Sequence, residues 1–282
     1  MAAPEGPRTL RVCVDPDNLP YSQAGGTGYE PALARLLADE LKLPLQLHWQ
    51  PMRRGLVRKT LGDGVCDALL TVPQGLDRLL TTRAYYRSSH VLLTRQADPA
   101  PLRSLDDPRL PQLRIGVQLI GDDLAASPPG HALVRRGAVA RVVGYTVDGG
   151  STQDADDGQG PAAQRMAAAL ARGQLDAGLA WGPQAGWFAA QAQPPLALQV
   201  LAAPAGLGLP FEFGMAVGVR RGETAWRDRL QAALDARQAD IDALLDRWHV
   251  PRVPNLPNLP NVQHGPSVPN AAPPPPSPEP PK

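Results

Sequence analysis

CDALLTVPQGLDRLLTTRAYYRSSHVLLT, residues 66–94, is the stretch from which the fold is read. It opens with Cys66-Asp67-Ala68-Leu69-Leu70-Thr71, a short apolar run after the turn Gly62-Asp63-Gly64. Such a run, without polar alternation, reads as a strand covered on both faces, as in a parallel sheet. Val72-Pro73-Gln74-Gly75 ends it, because proline and glycine stop a ladder. A polar link carries Asp77 and Arg78. Tyr85-Tyr86-Arg87-Ser88-Ser89 then leads into a second strand over His90–Thr94.

Length and composition bound the problem. A chain of 282 residues is long for one core and suits two lobes. Its 43% hydrophobic and 20% charged content is that of a globular protein. A net charge of +1 gives no electrostatic case for nucleic acid or an anionic membrane. No apolar run is long enough to span a bilayer. Met1-Ala2-Ala3-Pro4 has neither the basic nor the apolar segment of a signal peptide.

The series in residues 66–94 resembles the solute-binding proteins of polar amino-acid ABC transporters, family 3. It is most similar to one branch, the periplasmic binding proteins associated with quinoprotein methanol dehydrogenase, of the MxaJ/XoxJ type. The resemblance is carried by RVCVDPDNLPYS (11–22), QPMRRGLVRKTLGDGVCDALLTVPQG (50–75), LLTTRAYYRSS (79–89), RIGVQLIGDD (114–123) and LDAGLAWGPQAGWFA (175–189). It implies an α/β, two-lobed periplasmic binding protein-like fold of type II, with two hinge crossings. It also implies export to the periplasm and a monomer. The expected lobes are 8–92 with 208–250, and 93–207. Residues 251–282, with 13 prolines among 32 residues, are expected to be an extended or disordered tail.

In order along the chain, strands are expected at 8–15, Leu45–Trp49, Leu113–Gln118, Asp176–Trp181, Leu196–Ala202 and Phe213–Arg220. Helices are expected where Leu33, Leu36, Leu37 and Leu41 share a face, over 53–61, from Asp122-Asp123, and over Ala162–Arg172 before Gly173. One long amphipathic helix is expected from Thr224 through Trp248. Val91–Arg95 is expected as the first crossing between lobes. In a βαβαβ lobe Cys13 and Cys66 lie on neighbouring strands, within reach of a disulfide; two reduced core thiols are the alternative. Neither cysteine has metal-ligand spacing. The acids Asp154, Asp156 and Asp157 resemble a calcium loop but lack the downstream bidentate glutamate.

The five histidines are scattered, and no nucleophile or metalloprotease motif is present. No catalytic residues, metal or cofactor are therefore assigned. Ligand binding is better supported. The resemblance implies a first-lobe Arg gripping a carboxylate in two-pronged fashion, a second-lobe helix start for the same group, and an acid for the ammonium. Arg78 matches the first. Asp122 and Asp123 stand at the second, where their charges oppose an anion. The acid's position falls on Trp181. A cation–π contact there is worth about 2 kcal/mol at best, against the roughly 3–5 kcal/mol lost when a buried ion pair is broken. Ordinary α-amino acids are thus expected to bind weakly or not at all. The cleft is expected to be formed by Tyr21, Thr71, Arg78, Gln118, Asp122 and Trp181. Tyr21 could alternatively pack only its own loop.

The resemblance implies a non-enzymatic accessory that binds a PQQ-dependent methanol dehydrogenase, in apo or immature form, and assists its maturation or activation. Candidate partner contacts are the basic residues Arg53, Arg54 and Arg58, and the aromatics Trp187 and Phe188. Solvated surface and core packing, respectively, are the plain alternatives. A receptor of an ABC importer for a small molecule other than an amino acid is the competing reading.

Overall fold

The computed structural model describes residues 7–51, 55–119, 127–146 and 160–254. The chain runs β1 (Leu10–Val14), a short pair β2 (Asp17–Asn18) and β3 (Ser22–Gln23), α1 (Tyr29–Leu41), β4 (Leu45–Trp49), β5 (Leu69–Pro73), β6 (Leu80–Thr81), β7 (Tyr86–Arg95) and β8 (Ile115–Leu119). It continues with α2 (Pro128–Arg135), β9 (Val142–Thr146), α3 (Ala162–Ala171), β10 (Ala177–Trp181), α4 (Gly182–Gln191), β11 (Leu196–Val200), β12 (Glu212–Val219), α5 (Thr224–Ala236) and α6 (Gln238–Arg247).

This is the expected α/β periplasmic binding protein-like architecture. In one lobe β4 pairs parallel to β1, Val12 bridges Ala68 in parallel, and β12 closes antiparallel on β5. In the other, β9, β8 and β10 lie parallel, and β7 joins them antiparallel to β10. Strand β7 serves both. Its residues Tyr86–Ser89 pair with β12, and His90–Leu93 pair with β10. The crossing expected at Val91–Arg95 is therefore one continuous strand whose partners change between Ser89 and His90. β11 lies antiparallel along Val91–Arg95 and leads the chain back to β12.

The apolar strand runs have the cause inferred from sequence. On β10, Leu179 packs with Ile115, Val117 and Leu133 on one face, while Ala180 packs with Leu93, Met166 and Leu170 on the other. Successive side chains of a strand point to opposite faces, so a strand covered twice is apolar at every position. The other lobe's core gathers Leu33 and Leu37 of α1, Val217 of β12, and Trp226, Leu230 and Ile241 of the last two helices.

Two attachments stiffen this lobe. Cys13 and Cys66 form a disulfide, with their Cα atoms 5.7 Å apart. Beside it, Arg11 of β1 donates to Asp67 at 2.8 and 2.6 Å, and Arg220, just past β12, donates at 2.9 Å. Burial alone would push the Asp67 carboxyl up, but the hydrogen bonds from the two guanidiniums outweigh it and hold its pKa below the ordinary value.

The structure corrects or extends the expectations at several places. The long helix after Thr224 is two helices, α5 and α6, broken at Arg237, whose backbone leaves the helical region (φ −111°, ψ 16°). The apolar spacing survives the break because both helices pack their buried side against α1, with α5 also against β12. Gly182-Pro183 ends a strand as expected, but it also opens α4, with proline at a first-turn position that needs no N–H. The described helix after β8 begins at Pro128, capped by the Ser127 hydroxyl, which accepts from Gly130 N–H; Asp122 and Asp123 lie outside the described residues. Residues 251–254 are docked: Pro251 O accepts from the Ser88 hydroxyl at 2.6 Å, and Val253 N–H donates to Arg87 O at 3.0 Å. The rest of the tail, the 154–157 acids and Arg53 and Arg54 lie outside the described residues.

The disulfide joins cysteines 53 residues apart. A loop of that length is worth about 4 kcal/mol in the chain-entropy model. Replacing both cysteines by alanine is expected to lower the urea midpoint clearly with the circular dichroism of the folded protein retained. An unchanged midpoint would show that the bridge contributes nothing to stability.

Candidate functional site

Several elements end at one cleft between the lobes. From the first lobe come the loop after β1, the end of β5, and Phe213 and Met215 of β12. From the second come the end of β8 with Gln118, the end of β10 with Trp181, the start of α4 with Gln184, and the start of α2 with Ser127 and Pro128. His90 enters from β7 at the point where that strand changes partners. Carboxyl ends of parallel strands are where α/β sheets bind ligands, since the connecting loops diverge there. A cavity of about 350 Å³ lies in this cleft, lined by Pro73, His90, Gln118, Ser127, Trp181, Gln184 and their neighbours.

Trp181 and Tyr21 meet. The indole N–H of Trp181 donates to the Tyr21 hydroxyl at 2.6 Å, from one lobe to the other. The Trp181 ring also lies edge-on to His90 (centroids 5.3 Å) and to Phe213 (5.7 Å). Gln118 accepts from the Trp181 backbone N–H at 3.0 Å and donates to Gln184, which donates on to Asn18 at 2.9 Å, again across the lobes.

Charge is absent from the described lining. His90 is half-buried, and its desolvation pulls the imidazole down to about 4, although its hydrogen bond to Phe211 O opposes this. It is therefore neutral at pH 7, and its Nδ1 carries the proton that the carbonyl accepts. Arg78 is exposed in the turn after β5 and is not among the residues lining this cavity, while Leu79 beside it is buried with Val72 and Leu61. Thr71 lies one layer below. Its hydroxyl pairs with Tyr85 at 2.9 Å and Tyr29 at 3.4 Å rather than lining the cavity. Of the cleft residues expected from sequence, Tyr21, Gln118 and Trp181 come together; Asp122 lies outside the described residues.

The aromatic anchors are also repositioned. Phe188 is buried against Ala163 and Ala167. Trp187 stacks on Trp248, with centroids 4.5 Å apart, and lies near His249. Phe188 is thus part of the core, while Trp187 stays partly exposed. Arg58 is exposed at the start of a single wide helical turn, Arg58–Gly62.

Beneath Tyr21 lies a buried carboxyl that sequence reading did not single out. Glu30 is 1% exposed and accepts from Ser22 at 3.4 Å. Burial pushes it up to about 7, with hydrogen bonds from Thr71 and Ser22 opposing and the nearby Asp15 charge adding. A glutamate in the first turn of an amphipathic helix reads as solvated. Only the side that α1 buries reveals otherwise. His90, Phe213 and Gln184 were missed for the same reason: their strand and helix ends converge only in three dimensions.

Comparison with known proteins agrees with this architecture. Residues 10–251 match the model of the bacterial extracellular solute-binding proteins, family 3. The chain belongs to that family. Within it the chain is similar to proteins of the MxaJ/XoxJ type. It is 33% identical to the periplasmic binding protein XoxJ of Methylobacterium extorquens AM1, whose crystal structure superposes with a TM-score of 0.70 over 87% of this chain and 100% of that one. It is 29% identical to protein MoxJ of Methylorubrum extorquens, over 86% of this chain and 81% of that protein. MxaJ of Methlophaga aminisulfidivorans MPT, at 23% identity and a TM-score of 0.74 over 87% of this chain and 100% of that one, shares the fold.

The raised Glu30 pKa makes stability pH-dependent. The folded state holds the proton more tightly than the unfolded chain, so stability falls as pH rises from about 4.3, the unfolded value, towards the folded value. The loss levels off above about 7, at roughly 4 kcal/mol. Glu30→Gln, which mimics the protonated carboxyl, is expected to remove this component. Urea unfolding near pH 5 and near pH 8 checks it; an equal pH dependence in both proteins would overturn the assignment.

Proposed function

We propose that this protein is a non-enzymatic periplasmic accessory that binds a PQQ-dependent methanol dehydrogenase, in its apo or immature form, and assists maturation or activation. The observation that carries the reading is the likeness to XoxJ over nearly the whole fold, joined to a cleft built for something other than an amino acid. An amino acid needs a cation for its carboxylate and an acid for its ammonium. Among the described lining residues of the cavity there is neither a carboxylate nor a guanidinium, Arg78 included. Filling such a cleft with an amino-acid zwitterion would strand both charges.

In this reading the cleft residues are Tyr21, Gln118 and Trp181, joined by His90, Phe213 and Gln184. The basic residues Arg53, Arg54 and Arg58, close together in sequence, are the ones assigned to an acidic partner surface. Trp187 and Phe188 act by holding α4 in place rather than by touching the partner. A second reading, a receptor for a neutral small molecule, is favoured by the cavity beside Trp181.

Interferometry against the co-expressed dehydrogenase, apo and cofactor-loaded, separates the two. Binding that prefers the apo form is expected, and charge reversal at Arg53, Arg54 and Arg58 is expected to slow association and flatten its salt dependence. No binding to either form would transfer the assignment to the receptor reading. Titration calorimetry with the twenty amino acids is expected to show no micromolar binding; one micromolar ligand among them would overturn the account of the cleft.

A further inference from the structure

The contacts across the cleft are made by the protein's own side chains, and they converge on one residue. Trp181 ends β10 in the second lobe and precedes the first residue of α4. Its indole N–H reaches Tyr21, a first-lobe residue only 8% exposed, at 2.6 Å. Its ring packs edge-on against both His90 on the shared strand and Phe213 on a first-lobe strand, which also touch each other. Its backbone is fixed by Gln118, and the same glutamine continues through Gln184 to Asn18 in the first lobe. Opening the lobes would exchange this part-buried hydrogen bond for one to water and uncover the ring contacts, so separation has a cost at this site.

The opposite side of the same segment is held as well. A Cβ at Gly182 would stand 2.5 Å from Ser89 O and 2.9 Å from Pro251, and one at Gly186 would stand 2.1 Å from His249 O. These glycines let α4 sit directly on the shared strand and on the segment 249–251. Trp187, one residue further, stacks on Trp248. Pro251 and Val253 bond to Ser88 and Arg87 of the shared strand. The segment from Trp181 to Trp187 is thus clamped in front of the hinge and behind it.

We propose that Trp181 is a built-in closing element: its ring holds the two lobes together across the cleft without requiring a bound molecule, in the position a flat, uncharged aromatic ligand would take. In a hinge protein a ligand closes the lobes by contacting both of them better when closed. Trp181 makes such contacts permanently, as a tethered group whose association entropy is already spent. This proposal does not depend on which partner the protein serves.

The test is small-angle scattering of the full chain, with circular dichroism to confirm folding, on wild type, Trp181→Ala and Tyr21→Phe. Indole is the probe. Wild type is expected to have the smallest radius of gyration, unchanged by indole. Trp181→Ala is expected to expand, and indole is expected to return it to the wild-type radius by filling the vacated slot. Indole should bind Trp181→Ala roughly tenfold or more tighter than wild type by calorimetry. Tyr21→Phe, which keeps the ring packing and removes the acceptor, should expand less than Trp181→Ala. Equal radii for wild type and Trp181→Ala, or indole binding without compaction, would overturn the proposal. If Trp181→Ala does not fold, Tyr21→Phe decides, and a wild-type radius there overturns it.

Discussion

Strand β7 must satisfy its backbone in two places at once. Its first residues bond to β12 in one lobe and its later residues to β10 in the other. An unpaired buried N–H or C=O is costly, so neither set of bonds can be given up for the other. The lobes therefore cannot separate as independent domains. They can only rotate about a strand that remains paired on both sides, and residues near the change of partners absorb that rotation. His90 stands at this change with its ring in the cleft, which makes the pivot and the site neighbours in the chain.

The chemistry of the cleft follows from what surrounds that pivot. Desolvation keeps His90 neutral, and Trp181, Phe213 and Met215 supply apolar walls. The polar groups that remain are amides and hydroxyls bonded to one another. Charge has been moved elsewhere. The Asp67 carboxylate with Arg11 and Arg220 stiffens the far side of the first lobe, and Arg78 lies on an exposed turn. Across this cleft the protein's own side chains bond to one another, Trp181 to Tyr21 and Gln184 to Asn18. The neutral lining and the self-bonded amides are two aspects of one arrangement, since a charged group in this position would have required a partner that the walls do not provide.

Much of the fold was legible in the chain. Strand β4 falls at Leu45–Trp49 as read, and the β5 and β7 strands emerge from residues 66–94 because apolar runs bounded by proline and glycine have few other solutions. The pair Cys13 and Cys66 was placed side by side by the topology of one lobe, and the disulfide forms there. The break at Arg237 was hidden because the apolar spacing runs on through it. Helix α4 was hidden because Gly182 and Pro183 read as breakers, although a proline in a first turn is a helix signal. The spacing of Gly182 and Gly186 was the available clue to close backbone approach.

The sequence by itself determined most of the strand and helix segments, the two-lobed class and the placing of a tryptophan, Trp181, where an amino-acid site calls for an acid, because period, breakers and residue type act over short stretches of chain. Tertiary structure alone decided which side chains share the cleft. Tyr21 and Trp181 are 160 residues apart, and Asn18 and Gln184 are 166 apart; nothing local marks either pair as partners. The exposure of Arg78, the burial of Glu30 and the stacking of Trp187 likewise depend on which face each element turns to its neighbours. Local pattern specifies elements, but their packing chooses the faces, and the site exists only where those faces meet.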